Sequence, residues 1–135
     1  MIRAAMIGLG WWGRHMVKSI EGSEKLTVNR LAARSVDKHR GFAEETGIEL
    51  LDSYEKCLAD PDVDAVVLCT PHSQHEDQVL AAVEAGKQIF CEKPFALSAN
   101  STSLGWLSQV RVVQPVSSHP YRATYGLKSM FPRLR

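Results

Sequence analysis

Two features of the 135-residue chain predict an α/β fold with a doubly wound parallel sheet. Strand and helix patterns alternate from Ile2 to Cys91, and a Gly-x-Gly-x-x-Gly turn joins the first strand to the first helix. The length suits one ordinary domain, and 44% hydrophobic residues are enough for a core.

The elements follow in order. Ile2 to Ile7 is a short apolar run ending in glycine, as expected of a buried parallel strand. Trp12 to Ile20 places Met16, Val17 and Ile20 on one helical face. Leu26 to Ala33 reads as a second strand, and Val36 to Thr46 as a helix that Gly47 stops. Ser53 to Leu58 is a short helix after Asp52, and Asp60-Pro61-Asp62 is a turn. Val63 to Cys69 is a β-branched run, the strongest strand signal in the chain. Ser73 to Ala85 is a helix closed by Gly86, and Gln88 to Cys91 is a strand running into Glu92-Lys93-Pro94.

A boundary is expected near residue 98. Every one of the 15 Asp and Glu residues lies at or before Glu92, whereas Lys93, Arg111, Arg122, Lys128, Arg133 and Arg135 follow with no acid among them. Residues 1–98 are assigned to the sheet domain and 99–135 to a divergent tail. The segment 98–107 falls where the pattern calls for a helix, yet it reads SANSTSLGWL, whose Ser, Asn, Thr and Gly are weak helix formers. A strand near 110–116 completes the sheet from an edge, because Pro115 lacks an N–H to donate. A fragment, a truncated or frame-altered product and a stand-alone domain are all consistent with such a tail. Its abrupt change of composition favours the second.

The formal net charge of +1 argues against nucleic acid or an anionic membrane as partner. Cys57, Cys69 and Cys91 are widely spaced and form no Cys-x-x-Cys pair, as expected of reduced thiols in the cytoplasm. No apolar run reaches the length of a membrane span, and no signal peptide is expected ahead of a strand that begins at Ile2.

The glycine turn carries the first chemistry. Gly8 permits the tight turn, Gly10 lets backbone approach a pyrophosphate, and Gly13 lets helix and strand pack closely. The helix start then offers unsatisfied N–H groups and a positive dipole end to phosphate. Trp11 and Trp12 are bulky for such a turn. One is expected on the domain surface; alternatively Trp12 shields the dinucleotide. The second diagnostic is a carboxylate at the end of the second strand, which would accept hydrogen bonds from the ribose of NAD. Here the strand ends Ala33-Arg34-Ser35, and no acid occurs before Asp37. Arg34 and Ser35 suit a 2′-phosphate, so NADP is expected, with NAD as the alternative.

The stretches GLGWWGRHMVKSI and CTPHSQHEDQVLAAVEAGKQIFCEKPFALS closely resemble the glucose–fructose oxidoreductase, inositol dehydrogenase and MocA-like (Gfo/Idh/MocA) family over residues 1–98. The resemblance implies a Rossmann domain followed by a substrate domain, which 135 residues do not accommodate. It also implies hydride transfer between a nicotinamide dinucleotide and a sugar, inositol or related carbinol. Thr70, Pro71, His72 and His75 match the family's loop beside the cofactor. Glu92, Lys93 and Pro94 match its EKP motif, whose lysine assists proton transfer or orients substrate, so Lys93 is the expected catalytic residue. His72 and His75, one turn apart, are too few ligands for a metal site. Cys69 and Cys91 are expected to be packing residues. An oligomer is expected only with a substrate domain present. The alternative function is a binding module that holds the dinucleotide without turnover. A domain for another nucleotide such as S-adenosylmethionine is disfavoured by the EKP segment.

Overall fold

The computed structural model describes residues 1–91 and 111–112. In chain order the elements are β1 (Ile2–Ile7), α1 (Trp11–Ile20), β2 (Leu26–Ala32), α2 (Val36–Thr46), β3 (Glu49–Leu51), α3 (Tyr54–Ala59), β4 (Ala65–Leu68), a 3₁₀ turn (His72–Gln74), α4 (His75–Glu84), β5 (Gln88–Cys91) and β6 (Arg111–Val112). The six strands form one sheet in the order β3-β2-β1-β4-β5-β6, and every pairing is parallel. This is the doubly wound order. The chain winds outward from β1 in one direction, then restarts at β4 in the other, and leaves a crevice at the carboxyl ends of β1 and β4.

Helices cover both faces. Ala4, Met6, Val28 and Val67 point toward α1 and α2, where they meet Met16, Val17, Ile20 and Phe42. Ala5, Ile7, Val66, Leu68 and Ile89 point the other way, toward Cys57 of α3 and Val79 and Ala82 of α4. The alternation is that of the pleat. β2 breaks it once: its register against β1 shifts between Ala4 and Ala5, so that Val28 pairs with Ala4 and Arg30 with Ala5. The extra residue, Asn29, is a bulge that turns Leu31 onto the same face as Val28 and sends Ala32 to the opposite one.

The elements expected from the sequence are present, with three differences. The run from Val63 is strand over Ala65–Leu68 only, with single backbone bonds continuing the pairing at Asp64 and Cys69. The helix expected from Ser73 begins with the 3₁₀ turn and becomes α-helical at His75. The edge strand β3 had no counterpart in the sequence reading. Of the strand expected near 110–116, Arg111–Val112 is described, paired with Phe90 and Cys91; the rest of the tail lies outside the described residues. Among the described residues, no helix is long and apolar enough to cross a membrane.

Candidate cofactor site

The site is built where β1, β2 and β4 end. The β1–α1 turn sets its floor. Gly8 has φ +90° and donates its N–H to Ala32 O at 3.0 Å. A Cβ there would lie 2.7 Å from Cys69 O, and one at Gly13 only 2.0 Å from Gly8 O. Both positions therefore exclude any side chain, the first by conformation as well as space. Gly10 is different: nothing lies within 4 Å of where its Cβ would be. It sits at the N-cap of α1, where no side chain caps the helix and the first turn carries no acid. The backbone N–H groups of that turn thus have no side-chain cap, and the positive end of the helix dipole lies behind them, an arrangement that fits a pyrophosphate.

A cleft of about 570 Å³ opens above this turn. Its floor is Gly8 to Gly10. One wall is the β2–α2 turn with Arg34, Ser35, Lys38 and His39, and the opposite wall is Thr70, Pro71 and His72. Asp52, Ser53 and Tyr54, from the β3–α3 junction, close the end of the first wall. Arg34 and Ser35, as read from the sequence, thus share the cleft with Gly8 and Gly10. Lys38 and His39 were missed, although they follow Arg34-Ser35 within one helical turn and could have been read as part of the same basic segment.

Charge is distributed unevenly around it. Asp37, the first acid after β2, is bound to Arg40 at 2.8 Å and is not among the residues lining the cleft. The carboxylate that does line it, Asp52, is held by Lys56 at 2.9 Å, and that hydrogen bond lowers its pKa. Among the described residues, Arg34 and Lys38 make no ion pair. They stand at the N-terminal end of α2, where the helix dipole disfavours cations and favours an anion. Arg14 of α1 reaches behind them and donates from Nη2 to His39 Nδ1 at 2.9 Å. Burial lowers the His39 pKa, and the nearby charges of Arg14 and Lys38 lower it further.

The second wall is held by a chain of hydrogen bonds. His75 is 1% exposed and donates from Nε2 to Thr70 O at 2.8 Å. Thr70 Oγ1 donates to Gln78 Oε1, and Tyr54 donates its hydroxyl proton to Gln78 O at 2.7 Å. The α3 and α4 helices thereby fix the loop after β4, and burial drives the Tyr54 pKa above its ordinary value. His75 acts from beneath the loop, whereas His72 is exposed on it; their rings meet edge to face at 5.4 Å. No cluster of three metal-ligating side chains occurs among the described residues.

Trp11 and Trp12, expected at the cofactor, are not among the residues that line the cleft. Trp12 packs against the core, and Trp11 is 79% exposed, stacked on His15 at 5.6 Å. Glu92, Lys93 and Pro94 lie outside the described residues.

A parallel sheet of this order, with a glycine turn and an uncapped helix at its switch point, defines a Rossmann-type dinucleotide-binding domain. Residues 2–104 match the Gfo/Idh/MocA oxidoreductase family, NAD-binding Rossmann fold, and the chain belongs to that family. It is 39% identical over 107 residues to the scyllo-inositol 2-dehydrogenase (NAD+) of Bacillus subtilis, covering 72% of this chain and 29% of that one. With the 1,5-anhydro-D-fructose reductase of Ensifer adhaerens it shares 35% identity over 99 residues, 73% of this chain and 30% of that one. The fold is similar to the crystal structure of a myo-inositol dehydrogenase from Corynebacterium glutamicum, with a TM-score of 0.72 at 27% identity, over 83% of this chain and 35% of that one. The chain thus spans about 30% of the length of the curated relatives it matches.

Proposed function

We propose that this chain binds NADP in preference to NAD, and that it forms the cofactor-binding part of an oxidoreductase acting on a sugar, inositol or related carbinol. The observation that carries the cofactor choice is the β2–α2 turn. Arg34 and Lys38 line the cleft without a carboxylate partner, while Asp37, the nearest acid in sequence, is engaged with Arg40 outside it. A ribose-binding carboxylate is the device that suits NAD. A cationic turn at a helix N-terminus is the one that suits a dianionic 2′-phosphate.

Each residue then has a role. The N–H groups at the start of α1 hold the pyrophosphate, and Gly10 keeps its path clear. Arg34, Ser35 and Lys38 hold the 2′-phosphate. Thr70, Pro71 and His72 wall the cleft on the other side, and His75 and Gln78 keep that wall in place. The bound nicotinamide supplies the hydride acceptor or donor. Glu92-Lys93-Pro94 come next in sequence after Cys91, and Lys93 orients the substrate hydroxyl or takes its proton. Residues 1–98 form the dinucleotide domain, and the cytoplasm, where thiols stay reduced, is its location.

Side-by-side titration of NADPH and NADH tests the cofactor choice. Replacing Arg34 by Asp removes charge-assisted hydrogen bonds and adds a like charge beside the phosphate. NADPH affinity is expected to fall by about 10–100-fold, with NADH affinity held or improved. Equal affinity of parent and variant for NADPH would overturn the reading. In a second reading, the 135 residues taken alone bind the dinucleotide without turnover; the share of the relatives' length that they span supports it. Oxidation of a polyol panel by this chain with NADP separates the two.

A further inference from the structure

Behind the cationic turn, Arg14 contacts the ring of His39 across 25 positions of sequence. The contact has a definite polarity. A guanidinium only donates and does not deprotonate, so Nδ1 must offer its lone pair. The single proton of the neutral ring then sits on Nε2. Arg14 is not loose in this arrangement. Its Nε donates to Leu9 O at 3.2 Å, its Nη2 also reaches Lys38 O at 3.4 Å, and its guanidinium lies 5.1 Å from the centre of the Phe42 ring. Leu9 belongs to the glycine turn itself, so the guanidinium ties α1, the turn and α2 together.

We propose that Arg14 locks His39 in the Nε2–H tautomer, and that this N–H is a hydrogen-bond donor to the 2′-phosphate of the dinucleotide. The inference rests on the NADP reading and adds a specificity-determining residue, His39, with Arg14 as the residue that positions it. The charged and titratable groups around the ring are Arg14 from α1, Lys38 beside it on α2, Arg34 at the β2–α2 turn and Asp52 and Tyr54 at the end of the same wall. Burial lowers the His39 pKa from its ordinary value, and the adjoining charges of Arg14 and Lys38 lower it further, which favours the neutral ring. Neutrality matters here. An imidazolium would turn a second N–H against the guanidinium and break the contact, whereas the neutral ring presents one donor at a fixed angle. The phosphate therefore meets two charges that attract it, Arg34 and Lys38, and one uncharged donor that reads its position.

Imidazole ¹⁵N–¹H correlation spectra of the full chain, with His39 assigned through a His39→Gln control, test the tautomer directly. Expected are an unprotonated Nδ1 and a protonated Nε2 at neutral pH, with the Nε2–H signal displaced by NADPH and far less by NADH. Arg14→Met is expected to release the lock, giving a mixture of tautomers. In binding, His39→Leu should lose NADPH affinity by about tenfold with NADH unchanged, since one hydrogen bond to a charged group is removed. His39→Gln, which keeps a side-chain N–H, should recover most of it. A protonated Nδ1 in the parent, equal loss of NADPH and NADH in His39→Leu, or NADPH binding unchanged in His39→Leu would each overturn the proposal. These outcomes are distinct from failure of the NADP reading, which would show as NADPH affinity indifferent to Arg34→Asp.

Discussion

A methyl group at position 13 has nowhere to go: its carbon would sit 2.0 Å from the carbonyl oxygen of Gly8, which is backbone and cannot rotate away. Gly13→Ala is therefore expected to cost at least about 1–3 kcal/mol of stability, read as a lower Tm with or without cofactor. Gly10→Ala makes the opposite prediction. Its methyl enters open space, so stability should change by no more than about 1 kcal/mol, while the pyrophosphate path is obstructed and dinucleotide affinity falls by about tenfold or more. Thermal unfolding and NADPH titration of the two variants separate packing from binding within one turn. The turn packing of Gly8 and Gly13 and the places of Gly10, Arg34 and Ser35 beside the cleft were legible in the sequence because they are local: each lies within a few residues of a strand end. Lys38 and His39 were not, because their place depends on Arg14 reaching across from another helix. An ordinary Lys-His pair in the first turn of a polar helix carries no mark of that.

The six-residue helix α3 stands on a single cap. Ser53 Oγ accepts the Lys56 N–H at 3.3 Å, and so short a helix has little internal hydrogen bonding to fall back on. Ser53→Ala is expected to destabilise the protein by about 0.5–2 kcal/mol. Because Tyr54 follows the cap and holds Gln78, the loss should also loosen the Thr70 wall, seen as faster amide exchange there. The elements with a full hydrophobic period, such as α1 and β4, were legible with errors of a residue or two. β3 escaped because Glu49–Leu51 is too short to show alternation: its Glu is exposed and its two leucines only half-buried, as befits an edge. The bulge in β2 was equally hidden. Asn29 looks like any polar strand residue until the register against β1 shows the slip.

The opposite end of the sheet from the cleft is fastened by charge rather than by glycine. Arg3 binds Asp64 at 2.9 Å and Asp62 at 2.5 Å, which joins the start of β1 to the approach of β4. Hydrogen bonds from the Arg3 side chain and backbone hold the Asp64 carboxyl down at about 2, from an ordinary 3.8. The unfolded chain thus takes up that proton at a higher pH than the folded one. The pair's contribution is complete above about pH 4 and disappears as the pH falls through 2. Acid titration of Asp64→Asn should show a deficit in stability at pH 6 that closes across that interval; a constant deficit would contradict the assignment. The winding order has a further consequence, in time rather than in energy. β1 leaves the ribosome before the other strands of this sheet, yet it pairs with β4, about sixty residues later. At roughly 5–20 residues per second, one flank of β1 waits on the order of 3–12 s for its neighbour. During that interval β1 is an edge strand, the state most open to pairing with another nascent chain. The glycine turn at its end takes final shape only when Cys69 arrives beneath Gly8.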